Sequence, residues 1–213
     1  ETHLLYSNYG RWGDQPNNLD HLKKVGANNR IRKDVGRYYR GPCECESGTI
    51  VCTVNVSGEK DQLVVTIRMG PHIILLQEHR AGIRELGSWK SLVSSMGWHG
   101  VWATAVEDGK GRSRGVAILV NRKRPIFMVG EGSNRVVGAA VALTRRKVLN
   151  IINVYGWDCH YKNSIESNHQ MVKSLVQRVI GRGRTMWIIG GDWNMEPGEV
   201  ELKGLPGDYY TLE

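Results

Sequence analysis

The sequence predicts an α+β protein in which short, largely buried strands outnumber helices. Short apolar runs recur along the chain, many rich in β-branched residues and bounded by Gly, Pro, Asn or Ser. Beyond Gly70, apolar residues recur at helical spacing in only two segments. The strands outside those segments mostly follow one another directly, a pattern of meanders rather than of alternating βαβ units.

In order, the chain opens on the apolar His3-Leu4-Leu5-Tyr6, and Leu19, Leu22 and Val25 suit a brief helix over 17–25. Residues 26–48 are basic and Gly-containing and read as a loop. Thr49–Val56 and Gln62–Arg68 are rich in β-branched residues and are expected to form two strands, with Ser57–Asp61 as the hairpin turn between them. Ile73–Leu76 is a continuous apolar strand. Leu86, Trp89, Leu92, Val93 and Met96 then share one helical face, and Gly97 suits the stop. Strands are expected near 100–106, 115–121, 125–130, 135–143, 148–154 and 185–190. A second helix fits 164–180, with Ser164 as its cap, Ile165, Val172, Leu175, Val176 and Val179 as its buried stripe, and Gly181 ending it.

The most informative stretch is Trp187-Ile188-Ile189-Gly190-Gly191-Asp192-Trp193-Asn194. A buried strand that ends in Gly-Gly leaves room for close approach of a ligand to the backbone. In extended chain, residues two apart point the same way, so Asp192 and Asn194 can face one polar target. A carboxylate beside a neutral amide suits phosphoryl chemistry, where a protein positions water and steadies negative charge. An Asx-type turn after the strand is the alternative. Glu78 follows Ile73-Ile74-Leu75-Leu76-Gln77 and must leave the core or find a partner, because burying it unpaired is costly. It is either a hard-cation ligand or a strand-end glutamate paired with Arg80 or His79. Tyr155 ends Ile152-Asn153-Val154-Tyr155, where its phenol either donates to a phosphate oxygen or serves as a local anchor.

Read together, L-L-Q-E at Leu75–Glu78, R-G-V-A-I-L at Arg114–Leu119, I-N-V-Y at Ile152–Tyr155 and G-G-D-W-N at Gly190–Asn194 resemble the endonuclease/exonuclease/phosphatase family. That family includes abasic-site endonucleases, DNase I-like nucleases, deadenylases and the endonuclease domains of non-LTR retrotransposons. The resemblance runs from about residue 70 to 197 and rests on four motifs in the family's order. It implies a DNase I-like fold, a two-layer β-sandwich flanked by helices, in one domain over 1–213. It also implies Mg²⁺-dependent hydrolysis of phosphodiesters, with Mn²⁺ as a substitute, and nucleic acid, chiefly DNA, as partner. Glu78 would hold the metal, Asp192 would activate water, and Asn194 and Tyr155 would steady the phosphate. Asn8 would stand for the asparagine that closes the family's first strand and helps hold the metal; a turn or capping role is the alternative.

The sequence departs from the family in several places. Ser7 stands where a tryptophan usually precedes the asparagine, and Asn8 lies far from Glu78 (78 − 8 = 70 residues). Gly156-Trp157 follows Tyr155 where the family has a proline two positions on, and Trp193 replaces a phenylalanine. The family's final Ser-Asp-His-type motif, source of a further carboxylate and a histidine, has no match between Asp192 and Glu213 (213 − 192 = 21 residues). The resemblance therefore implies an incomplete second sheet, an open edge prone to self-association, and a site short of two groups. A catalytically inactive nucleic-acid-binding remnant, or a phosphatase acting on small phosphoesters, are the rival functions.

Charge and cysteine usage fit the main expectation. Lys plus Arg number 29 against 21 Asp plus Glu, a net charge of +8. Clusters at Arg122-Lys123-Arg124, at Arg145-Arg146-Lys147 and at Arg178, Arg182 and Arg184 suit backbone phosphates, with an ordinary solvated surface as the alternative. No apolar run is long enough to span a bilayer, so an intracellular protein, nuclear or cytoplasmic, is expected, with no membrane partner. Cys43, Cys45 and Cys52 lack the second pair of a zinc site and Cys159 is remote, so free thiols are expected. The histidines form no i,i+4 metal pair.

Overall fold

The computed structural model describes residues 2–7, 49–107, 112–130, 132–144, 147–158, 161–180, 186–194 and 209–212. In chain order the strands are β1 (Thr2–Ser7), β2 (Val51–Asn55), β3 (Ile73–Gln77), β4 (Trp98–Ala103), β5 (Val106–Glu107), β6 (Arg112–Ser113), β7 (Val116–Asn121), β8 (Ile126–Met128), β9 (Val136–Ala142), β10 (Val148–Tyr155), β11 (Met186–Asp192) and β12 (Tyr209–Leu212). The helices are α1 (Lys60–Arg68), α2 (Ile83–Ser95) and α3 (Ser164–Ile180). One sheet runs β12-β1-β11-β10-β9-β8, a second, smaller one β2-β3-β7-β4, and β5 pairs with β6 in a short ribbon. Both main sheets are mixed: β1, β10 and β12 are parallel to their neighbours around β11, β10 is antiparallel to β9, and β2 is parallel to β3 while β7 opposes it.

The alternation of side chains along each strand explains the layers. On β3, Ile73 and Leu75 face the other sheet, whereas Ile74 and Leu76 face α1 and α2, so both faces are buried and the strand reads as one apolar run. On β10, Leu149 and Ile151 face inward, while Ile152 and Val154 meet Met171 and Leu175 of α3. The result is helix, sheet, sheet, helix. It is the two-layer sandwich flanked by helices that the sequence predicts.

One expected element is corrected. Gln62–Arg68 forms the helix α1, not the second strand of a hairpin. Gln62, Leu63, Thr66 and Ile67 are its buried residues, at helical spacing, and the Thr66 hydroxyl donates to the Gln62 carbonyl at 2.8 Å. Because β2 is parallel to β3, the link between them must cross over, and a helix does this where a hairpin cannot. That tertiary demand overrides the β-preference of Val64, Val65, Thr66 and Ile67. The second predicted helix has the expected bounds. Of its predicted stripe, Leu175 is buried and Ile165 is 61% exposed, while the side chains of Val172, Val176 and Val179 lie outside the described residues; Ser164, Asn168 and Met171 are also buried. The helix predicted from Leu86 to Met96 buries Leu86, Trp89 and Val93 as expected, each burial worth about 1.5–3 kcal/mol as an upper bound. The brief helix at 17–25, the loop at 26–48, Gly181, and three of the cysteines (Cys43, Cys45 and Cys159) lie outside the described residues.

Alternation also places polar side chains between the sheets. Asn153 continues the inward series Leu149, Ile151 and is fully buried. Its Nδ2 donates across the interface to the carbonyls of Leu76 (2.7 Å) and Ala117 (2.8 Å), and its Oδ1 accepts from Gln77 Nε2 at 2.6 Å. Gln77 is held in turn by the Leu75 carbonyl and by Thr53 Oγ1. A buried network with its bonds made fixes the register of two sheets that apolar contact alone would let slide. Replacing Asn153 with leucine keeps the volume but removes all three bonds. We expect a loss of about 2–4 kcal/mol in urea denaturation; a loss below about 1 kcal/mol would show that the network does not clamp the sheets.

Candidate active site

The inward series that carries Asn153 also carries the site. Asn55 ends β2, Gln77 ends β3, Tyr155 ends β10 and Asp192 ends β11, and all four sit at the same end of the sandwich. Tyr155 and Asp192 are register partners on adjacent parallel strands. Asn55 reaches from the second sheet to the first, its Nδ2 donating to Asp192 Oδ2 at 3.0 Å. Asn55 Oδ1 accepts from the Ser57 backbone N–H at 3.0 Å. Ser57 Oγ lies 3.4 Å from both Asn55 Oδ1 and Glu78 Oε2, and its single proton serves one at a time. Asp192, Asn55, Ser57 and Glu78 are thus linked through a continuous polar chain.

Glu78 is drawn in two directions. Its Oε1 accepts from Arg80 Nε at 3.1 Å and from Arg80 Nη2 at 2.5 Å, so the paired-glutamate alternative describes that oxygen. Its Oε2 faces Ser57, and the side chain keeps 14% exposure. Asp192 makes the Asx-type turn, its Oδ1 accepting from the Asn194 backbone N–H at 3.3 Å, while Asn194 Nδ2 donates to the Gly156 carbonyl at 3.1 Å. The space beside Gly191 is taken by the chain itself rather than left for a ligand: a Cβ there would meet the Val154 carbonyl oxygen at 1.9 Å. Trp193 is fully buried in the cluster under α3, the packing role expected of it.

Backbone strain gathers at this end. Ser57, Glu78, Arg80, Arg114 and Asn194 are non-glycine residues with φ between 46° and 73°, in the left-handed region. Such conformations cost of order 1 kcal/mol or more each and persist where surrounding contacts impose them, commonly at working sites. Here they take the chain out of the β3 line at Glu78 and Arg80.

Burial and neighbouring charge shape the titrations. Asp192 is 2% exposed, and its carboxyl is raised from 3.8 to about 6. Burial is the main cause, opposed by the Asn55 and Asn194 hydrogen bonds and reinforced by Glu78 and Asp158. The Tyr155 phenol is raised by burial first and by Glu78 and Asp192 next, so it stays protonated at neutral pH. His79, next to Glu78, is not a base for this site. Its Nε2 donates to the Ala103 carbonyl at 3.0 Å, its Nδ1 accepts from the Ala81 N–H at 3.1 Å, and burial pushes it down to about 4. Wedged against Trp89 and Trp102, it is a neutral packing group. The Cys52 thiol is free and buried, pushed up to about 12, and chemically quiet.

Sequence reasoning missed Asn55, Ser57 and Arg135. Asn8 lies outside the described residues; among the described residues Asn55, 23 residues before Glu78 (78 − 55 = 23), reaches the site, its amide bonding Asp192. The signal was there in Val54-Asn55-Val56-Ser57-Gly58, a β-branched strand ending in a polar turn. The basic clusters also fall differently from expectation. Arg122, Lys123 and Arg124 follow the far end of β7, and Lys147 precedes β10, both opposite the carboxylates; Arg145, Arg146, Arg182 and Arg184 are outside the described residues. Among the described residues, Arg80, Arg114 and Arg135 stand near the carboxylates.

Among the described residues no group of three His, Cys, Asp or Glu side chains stands together as a metal site. A hard divalent cation that keeps most of its waters needs only one or two carboxylates. Glu78 Oε2 and Asn55 Oδ1, each 3.4 Å from Ser57 Oγ, are a carboxylate and an amide oxygen suited to a hard cation, and the Glu78 charge that raises Asp192 is one a cation would offset. The residues fit such an ion.

The fold is a two-layer sandwich with its buried carboxylate and polar chain gathered at one end. The profile described as the Endonuclease/Exonuclease/phosphatase family matches residues 52–211, and the chain belongs to that family. The match takes in Asn55 and leaves out Asn8. Among solved structures, a 3′ phosphatase, NExo from Neisseria, bound to product DNA hairpin, is similar at 21% identity over 69% of this chain and 58% of that one, with a TM-score of 0.51. The human Nocturnin catalytic domain with bound sulfate anion is similar at 16% over 68% and 60%, with a TM-score of 0.50. The endonuclease domain of TRAS1, a telomere-specific non-LTR retrotransposon, is similar at 18% over 70% and 61%, with a TM-score of 0.49. The chain thus spans 58–61% of these structures' lengths. At such identities the likeness is one of fold. No curated protein matches the chain.

The raised Asp192 carboxyl has a consequence for stability. The folded protein holds this proton more tightly than the unfolded chain, so its contribution is complete below about pH 3.8 and is lost as pH rises through about 6. That range corresponds to about 3 kcal/mol as an upper value. Asp192→Asn should therefore be more stable than the wild type near neutral pH, by up to that amount, with the difference vanishing toward about pH 4. Denaturation curves across this range would show it; a difference independent of pH would refute it.

Proposed function

We propose that this chain hydrolyses phosphodiester bonds in nucleic acid, chiefly DNA, with the help of Mg²⁺ or Mn²⁺. The carrying observation is the desolvated Asp192, held by Asn55 from the opposite sheet and linked to Glu78. A carboxylate raised to about 6 is mostly ionised at neutral pH, yet far more basic than an exposed aspartate. It suits the removal of a proton from water as the water oxygen attacks phosphorus in line and the bond to the leaving oxygen breaks.

Each neighbour has a part. The Asn55 amide fixes the Asp192 carboxylate in one orientation. Glu78 and Asn55 Oδ1 would hold the cation, the role that the sequence assigned to Glu78 and Asn8. When bound, the cation supplies neutralisation of charge on the phosphate and the leaving oxygen. Tyr155 keeps its proton and can donate it in a hydrogen bond to a phosphate oxygen without adding charge. Asn194 can do the same by exchanging the Gly156 carbonyl for substrate. Arg80, with a side chain 45% exposed, offers its guanidinium to the backbone of a polyanion. The DNA hairpin held by the Neisseria 3′ phosphatase is in keeping with such a substrate.

The test is nicking of supercoiled plasmid with and without Mg²⁺, by the wild-type chain and by Asp192→Ala, Glu78→Ala and Asn55→Ala. We expect metal-dependent cleavage that falls by at least about 100-fold in the Asp192 and Glu78 variants. Folded protein that binds DNA in a salt-dependent way without cutting it would favour a binding module instead. Turnover of a small phosphoester with no action on plasmid would favour a phosphatase.

A further inference from the structure

The turn after Tyr155 departs from the family pattern, with Gly156-Trp157 in place of a rigid proline, yet it is held at every residue. Arg135, from the turn that precedes β9, donates through Nη1 to the carbonyls of Tyr155 (3.1 Å) and Gly156 (2.5 Å). Its guanidinium lies 5.1 Å from the Tyr155 ring, 4.4 Å from Trp157 and 5.9 Å from Tyr161. Arg135 is 3% exposed, which is unusual for an arginine with no carboxylate bonded to it among the described residues. Asn168 of α3 completes the hold, accepting from the Trp157 N–H at 2.7 Å and donating to its carbonyl at 3.0 Å. The Gly156 N–H donates to the Asp192 carbonyl at 2.7 Å, which ties the same turn to the β11 end. A side chain at Gly156 would strike the Trp193 carbonyl oxygen, 1.8 Å from an added Cβ, so the turn packs directly on the strand that carries Asp192.

We propose that Arg135 is a positioning residue of the active site: it holds the Tyr155 and Gly156 carbonyls, and so fixes the Tyr155 phenol and the Asn194 amide beside Asp192. Burying a cation is costly unless its charge is answered, and here two carbonyl dipoles and three aromatic faces answer it. Burial and the nearby Arg114 draw its guanidinium down to about 10, so it remains a cation at neutral pH. Lysine could keep the charge and donate to both carbonyls, as Nη1 does alone, but it lacks the planar guanidinium that stacks on the three rings. The catalytic consequence rests on the proposed hydrolysis; the structural one does not.

The test therefore has two readouts. Amide hydrogen exchange is measured in the wild type, Arg135→Lys and Arg135→Met. Faster exchange, by about tenfold or more, is expected at Tyr155, Gly156 and Trp157 in both variants, with the amides of β3 and β7 unchanged. Turnover of the plasmid substrate should fall in kcat with little change in KM, and Arg135→Met combined with Tyr155→Phe should be no worse than the more damaging single change. Unchanged exchange at 155–157, or a uniform loss of protection through both sheets, would overturn the proposal. So would additive losses in the double variant. If the wild type cleaves nothing, the proposed hydrolysis fails and the exchange experiment still decides the role of Arg135.

Discussion

Two amides that cross between the sheets hold this structure together where it matters. Asn153 of β10 bonds the backbone of β3 and β7, and Asn55 of β2 bonds the carboxylate that ends β11. Apolar packing between the sheets is strong but has no direction, so it tolerates sliding. Buried hydrogen bonds do not, because a shift of even one residue leaves donors and acceptors without partners. The register that these amides impose is what brings Glu78 and Asp192, from different sheets, to one polar chain. A site made from strand ends depends on the strands ending together.

The same arrangement sets the chemistry. An aspartate at the end of β11 could lie in water with an ordinary acidity. Covered by the opposing sheet and held by Asn55, it loses solvent faster than it gains compensating bonds, and its affinity for a proton rises. The cost appears as stability given up at neutral pH and as strained backbone at Ser57, Glu78, Arg80, Arg114 and Asn194. Arg135 is buried on similar terms: two carbonyls and three ring faces answer its charge, and in being held it orders the adjacent turn.

Much of this was legible in the sequence, and for physical reasons. A strand buried on both faces reads as an unbroken apolar run, as Ile73–Leu76 does, and the β-branched Ile151, Ile152 and Val154 mark the strand near 148–154 despite Asn150 and Asn153. Strand-end polar residues such as Glu78, Tyr155 and Asp192 stand out because they follow such runs directly. α1 was misread because local β-preference in Val64–Ile67 says nothing of a parallel neighbour that needs a crossover. Asn55 was passed over because an asparagine at a strand end usually starts a turn, and its carboxylate partner lies 137 positions away. Arg135 carried no local signal at all, since its partners come from a turn 20 and 21 residues later and from stacked rings. Ile165 was placed inward because the pattern counted apolar residues alone, whereas Asn168 takes the buried side to grip Trp157.

The most direct measurement is a ¹³C NMR titration of the Asp192 carboxyl in the wild type and in Asn55→Ala. A midpoint near 6 in the wild type, moving higher once the Asn55 amide is gone, is the predicted result. A midpoint near 4 in both proteins would mean that Asp192 stands in solvent, unheld by the opposite sheet, and that the two sheets do not build the site together.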